Sequence, residues 1–183
     1  MRPEPPAPAN SSISGLVEAG KFLSPRMKRM TTKVGSEALK PNRALKALEG
    51  LVGRWETVGT HPYLPAKTLH GRATFEWIEE GAFLMMRSEI DEPEIPSGVA
   101  IFGSDDATGD FFMLYFDERN VSRKYDVSVD GNVVCWQRSS PDFSQRMVLT
   151  IADEGTTIVS KGEMSKDGGA WEPDLELTYS QMK

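Results

Sequence analysis

The sequence is poor in the residues that build staples, metal sites and membrane spans. Cys135 is its one cysteine, so no intrachain disulfide can form and a disulfide-stapled secreted scaffold is excluded. It has two histidines, His61 and His70, and no His/Cys/Asp group at metal-ligand spacing, so no metal is expected. No apolar run approaches the length of a membrane-crossing helix. A Gly-x-Ser-x-Gly nucleophile turn and a glycine-rich phosphate loop are both missing, which leaves little in the residues themselves to argue for an enzyme. The formal net charge of −6 speaks against nucleic-acid binding by the whole chain. What remains, at 183 residues with 39% hydrophobic and 26% charged side chains, is a soluble chain with one ordinary domain, read as cytoplasmic.

The charge is divided. Residues 1–43 carry eight basic and three acidic side chains, a net of +5, which leaves −11 on the rest. The stretch from Arg2 to Asn10 has four prolines, which hold it extended. Residues 11–23 could form a short amphipathic helix weakened by Gly15 and Gly20, and no secretory signal is read there. Residues 1–42 are therefore read as a flexible basic extension. Within it, residues 11–34 are a candidate docking segment for a protein or an anionic surface, through Arg26, Lys28, Arg29 and Lys33. The plainer reading is a solvated tail.

Residues 43–183 are read as a barrel domain. Leu45, Leu48 and Leu51 recur at helical spacing, so a short helix is expected over 43–51. From Gly53 onward the sequence alternates between runs rich in β-branched and aromatic residues and turn signals such as Glu80-Gly81, Asp130-Gly131 and Asp167-Gly168. The strands expected are 53–60, 67–78, 82–90, 97–103, 110–117, 121–129, 132–138, 144–152, 156–165 and 171–181. No helical segment separates them, which disfavours parallel β-α-β units. Ten antiparallel strands joined to their neighbours would expose long edges unless they closed. The fold expected is all-β: a ten-stranded antiparallel up-and-down barrel whose short helix caps one end, wide enough to hold a small ligand.

Alternation then assigns faces. Trp55 and Thr57 share one side of the first strand, and Leu69, Ala73, Phe75 and Trp77 form a clean apolar side of the second. The third strand is apolar on both sides, and Met85 and Arg87 are assigned inward. The sixth puts Arg123 and Tyr125 in the apolar register, the seventh pairs Trp136 with Arg138, and the eighth places Arg146 inward. An arginine aimed into a lumen needs an internal carboxylate such as Glu89 or Asp117, water, or an anionic ligand. The candidate ligand-binding set is Trp55, Trp77, Met85, Arg87, Arg123, Tyr125, Trp136, Arg138 and Arg146. In it Trp77, Met85 and Trp136 would form an apolar wall, and Arg123, Tyr125 and Arg138 would receive a head group.

His61 sits in the turn Thr60-His61-Pro62-Tyr63-Leu64-Pro65, where it could act as base, bind a metal, or cap the loop, the last being preferred. Asp105 and Asp106 are read as turn caps, and Cys135 as a buried, inert thiol. The function expected is that of an intracellular carrier or sensor of a small, mostly apolar molecule with an anionic end. The alternatives are an isomerase or cyclase using His61 or Tyr125 for proton transfer, or an interaction protein docking through its basic N-terminal segment.

The run Leu51-Val52-Gly53-Arg54-Trp55-Glu56-Thr57-Val58-Gly59-Thr60-His61-Pro62 resembles the Gly-x-Trp opening of calycin-like barrels, and more closely that of nitrobindins. The segments 75–79, 83–88, 115–119 and 143–146 look like an uncharacterised bacterial branch of that superfamily, and the likeness spans about residues 44–181. It implies a ten-stranded barrel related in shape to fatty-acid-binding proteins. It also implies ferric haem held by a histidine near the C-terminus. The segment 171–181 contains no histidine, and Tyr179, a conceivable oxygen ligand there, is read instead as a core or rim residue, so no cofactor is predicted.

Overall fold

The computed structural model describes residues 41–183. The expectations for the proline-rich stretch, the 11–23 helix and the 11–34 docking segment lie outside the described residues. Among the described residues, no helix is long and apolar enough to cross a membrane.

A 3-10 helix, Ala44–Leu51, precedes ten strands: β1 (Gly53–Thr60), β2 (Leu69–Ile78), β3 (Phe83–Ile90), β4 (Gly98–Ser104), β5 (Phe111–Asp117), β6 (Ser122–Asp130), β7 (Val133–Arg138), β8 (Phe143–Ala152), β9 (Thr157–Lys166) and β10 (Glu172–Gln181). Each pairs antiparallel with its sequence neighbours, and β10 closes back on β1 through Trp55 opposite Gln181 and Thr60 opposite Glu176. The expected closed barrel is what forms. The tightest connection is Gly131-Asn132 between β6 and β7, with Gly131 at φ +58°; the two-residue turn therefore sits one position later than Asp130-Gly131.

The barrel has a closed end and an open one. At the closed end the 3-10 helix lays Leu45, Leu48 and Leu51 across the lumen, all fully buried. Trp55 Nε1 donates to the Leu51 carbonyl at 2.9 Å, which ties the cap to the start of β1. The next inward layers are Phe75, Leu84, Phe102, Val134, Leu149 and Ile158, also fully buried. Phe102 meets Trp136 edge-on at 5.8 Å between ring centroids. Burying side chains of this size contributes roughly 1.5–3 kcal/mol each. This half is solid.

Two strands carry their side chains the other way from expectation. Directly opposed residues of an antiparallel pair share a face. Phe75 opposes Met86 and Trp77 opposes Leu84, so β3 sends Leu84, Met86, Ser88 and Ile90 inward. Met85 and Arg87, assigned inward from sequence, lie on the outer surface. The alternation of β3 offered no preference between two apolar faces, and its neighbour β2 decided. Arg146 is likewise outside, because β8 turns Gln145, Met147 and Leu149 inward. Cys135 is half-buried on the outer face rather than in the core, and burial raises its thiol pKa.

Candidate functional site: the open half of the barrel

Above the filled layers the lumen is empty over about 510 Å³. This lies within the range of small-molecule pockets. The wall is largely apolar: Met86, Met113, Met147 and Met164 face it with Trp136 and Leu177. Methionine is unbranched and polarisable, so such a wall adapts to differently shaped apolar guests. The mouth is framed by His61, Tyr63 and Leu64 after β1, Glu94, Ile95 and Pro96 before β4, and Arg119 after β5.

Across this apolar wall runs a chain of polar side chains. The Tyr125 hydroxyl donates to Gln145 Oε1 at 2.6 Å. Gln145 Nε2 donates to Asp174 Oδ2 at 2.6 Å. The other oxygen, Asp174 Oδ1, faces His61 Nε2 at 3.1 Å. His61 Nδ1 in turn accepts the backbone N–H of Tyr63 at 3.1 Å. An accepting Nδ1 carries no proton, so the ring proton belongs on Nε2, aimed at the carboxylate. Four side chains from β6, β8, β10 and the β1–β2 turn are thereby locked together.

Asp174 reaches the lumen through an irregularity. The register of β10 against β9 shifts between Pro173 and Glu176, so Asp174 and Leu175 both line the cavity. Uninterrupted alternation from Tyr179 and Leu177 would have pointed Asp174 outward. Gly162 of β9 makes room, because a Cβ there would stand 2.7 Å from the Leu175 carbonyl oxygen. Sequence reasoning missed Asp174 and Gln145; Pro173 inside a strand was the available signal.

Arg123 enters the cavity beside Tyr125, its guanidinium 4.4 Å from the Phe143 ring centroid. Among the described residues it has no carboxylate partner. Burial raises the pKa of the Tyr125 hydroxyl, and the Arg123 charge opposes that shift. Tyr115 packs edge-on to Tyr125 at 6.5 Å and donates to Asp117 Oδ2 at 3.2 Å. Asp117 is held by Arg119 at 2.7 Å, so Arg119 is neutralised at the rim. Lys166 Nζ donates to the Tyr63 hydroxyl at 2.7 Å.

Of the residues singled out from sequence, His61, Arg123, Tyr125 and Trp136 meet at this cavity. Arg138 faces inward at the mouth end of β7, close enough for its charge to act on Tyr125, but does not line the cavity. Trp55 and Trp77 pack in the closed half. Met85 is outside, Arg87 borders an outer cleft with Val99 and Phe116, and Arg146 pairs with Glu163 at 2.6 Å and covers Trp171. His61 caps its loop as preferred. Asp105 accepts the N–H groups of Ala107 and Thr108, as expected of a turn cap.

The residues do not fit a haem iron. The inward side chains of β10 supply Asp174, Leu175, Leu177 and Tyr179, and both nitrogens of His61 are engaged. The Tyr179 hydroxyl is buried, and that burial pushes its pKa up to about 12.

A closed ten-stranded antiparallel barrel with one capped end and a cavity at the other defines the class of protein. The chain belongs to the family described as protein of unknown function (DUF1579), whose model matches residues 40–181. Among solved structures it is similar to the crystal structure of Rv2717c from M. tuberculosis, at 13% identity and a TM-score of 0.55. That match covers 79% of this chain and all of the other. At this identity the likeness speaks for the fold. No curated protein matches the sequence.

Proposed function

We propose that the open half of the barrel binds a small, mostly apolar molecule with an anionic end, and that the protein works as an intracellular carrier or sensor. The observation that carries this reading is Arg123, a cation without a carboxylate partner among the described residues, set in a methionine-rich wall. An uncompensated charge at a partly desolvated wall costs free energy that a bound carboxylate or phosphate recovers through two-pronged hydrogen bonds. Tyr125, kept protonated by burial, stands beside it and becomes a second donor to the anion only by turning its hydroxyl from Gln145. The Gly53-Arg54-Trp55 opening after a short helix supports placing the chain among calycin-like barrels, a comparison that concerns shape and cavity here and carries no haem chemistry.

A proton-transfer enzyme in the same cavity has less support. His61 presents no free nitrogen to a substrate, and the Tyr125 hydroxyl is already committed to Gln145. The decisive experiment is native mass spectrometry of freshly purified protein, followed by titration with fatty acids, isoprenoid acids, their methyl esters and haem. Saturable binding of the acids is expected, weakened about tenfold or more by Arg123→Ala, a change of about 1.4 kcal/mol. The esters should bind the variant and the parent alike. A clean ligand-free mass with no saturable acid, or an equal loss for acids and esters, overturns the proposal.

A further inference from the structure

The cavity's dimensions say more about its guest than its charge does. β3 and β8 stand on opposite walls of the ten-strand ring. Each sends three successive inward residues into the cavity: Met86, Ser88 and Ile90 from β3, and Phe143, Gln145 and Met147 from β8. Such a set covers roughly 13 Å along a strand, or about 10 Å along the axis of a barrel whose strands tilt by about 40°. The floor beneath is solid, because Trp136 packs edge-on against the fully buried Phe102 and Met113 stands opposite that ring across the β4–β5 pair.

A space of about 510 Å³ with that depth has a mean cross-section of roughly 50 Å². An extended alkyl chain, whose carbon atoms pack about 4 Å from their neighbours, fills less than half of it. The chain also runs out of depth, since about eight carbons joined in zigzag by ~1.5 Å bonds already span the cavity. A longer chain fits by folding back on itself or by leaving its end in water. Folding back freezes rotatable bonds, a cost that a rigid body does not carry.

Resting on the reading of this cavity as the site of an anion-headed ligand, we infer that its ligand is a compact carboxylate on a fused-ring body, not a long straight-chain acid. The acid group sits at Arg123, near the mouth end of β6, and the rings lie between Ser88 and Met147 above Trp136. Ser88 sets the width. It is the smallest side chain that β3 and β8 turn into the cavity, it stands at mid-depth, and a larger residue there leaves room for a single chain only.

The test is calorimetric titration of the full chain with naphthoic, adamantanecarboxylic and undecanoic acids, which have equal carbon counts, and with straight-chain acids up to hexadecanoic. The straight acid removes the most apolar surface from water, so hydration alone would rank it first. Both ring acids should instead bind about tenfold tighter. Along the straight-chain series each added CH₂ should gain about fourfold up to about eight carbons, and nothing beyond. Ser88→Leu should weaken the ring acids about tenfold while leaving undecanoic acid and the unfolding midpoint unchanged. Straight acids that match the ring acids, or that keep gaining through hexadecanoic acid, overturn this inference and leave the carrier reading standing. So does a Ser88→Leu variant, folded like the parent, that binds the ring acids undiminished. If no acid of either kind binds, both readings fall together.

Discussion

The two halves of this barrel are built from the same ten strands yet differ in what they do with them. In the closed half, leucines and aromatic rings from the cap and six strands meet without space between them. In the open half the same strands present methionines, tyrosines and a hydrogen-bonded polar chain around about 510 Å³ of free volume. Strand number and closure set the lumen's width. Whether it is core or cavity depends on side-chain volume and on which end receives a helix. The barrel is thus neither hollow nor plugged throughout, but divided along its axis.

The sharpest way to break that contrast is along one strand. Leu149 and Met147 are successive inward residues of β8, one in the packed half and one at the cavity. Leu149→Ala should cost about 2–5 kcal/mol in denaturant unfolding, since the hole it leaves cannot collapse. Met147→Ala should cost less than half of that, because it enlarges a space already present. Equal costs would mean that the two halves are packed alike.

Alkali should act on the open half. Tyr115, Tyr125 and Tyr179 all face it, and burial raises the pKa of each, Tyr179 to about 12. A raised value means that the unfolded chain ionises first, near pH 10. Stability is therefore intact below about pH 10 and is lost as pH rises through the folded values. Thermal unfolding between pH 9 and about pH 12 should show a steep fall, flattened by Tyr179→Phe.

Acid should act more weakly, at the rim. Burial alone would raise the Asp117 pKa, but the hydrogen bonds and charge of Arg119 outweigh it and hold the carboxyl below its ordinary range. Its contribution is present above the ordinary carboxylate value and disappears as pH falls through the depressed one. Asp117→Asn should flatten the acid limb of the unfolding midpoint. The smallest effect concerns Arg146, an inward candidate from sequence that lies outside: Arg146→Ala should leave both the affinity for anionic ligands and the unfolding midpoint unchanged.

The comparison also explains what could be read in advance. Strand limits were legible because turn residues recur about every dozen positions, and β2 showed its inward face plainly. β3 did not, since Met85 and Met86 are equally apolar; its facing became known only through the pairing with β2. Arg123, Tyr125 and Trp136 were legible as polar or bulky residues in an apolar register. Asp174 was not, because a one-residue slip beside Pro173 reverses its side.

From residue order alone followed closure, the capped end and the ten-strand count, because each rests on periodicity within one strand or on signals between two neighbours. The division of the lumen, and the contact of His61 with Asp174, were settled only by the folded chain. Those two residues are far apart in sequence; Pro173 marks the irregularity in β10, but nothing local to either residue encodes that the turn after β1 arrives there. A period of two states which residues share a face; it does not state which residues will meet across the space they enclose.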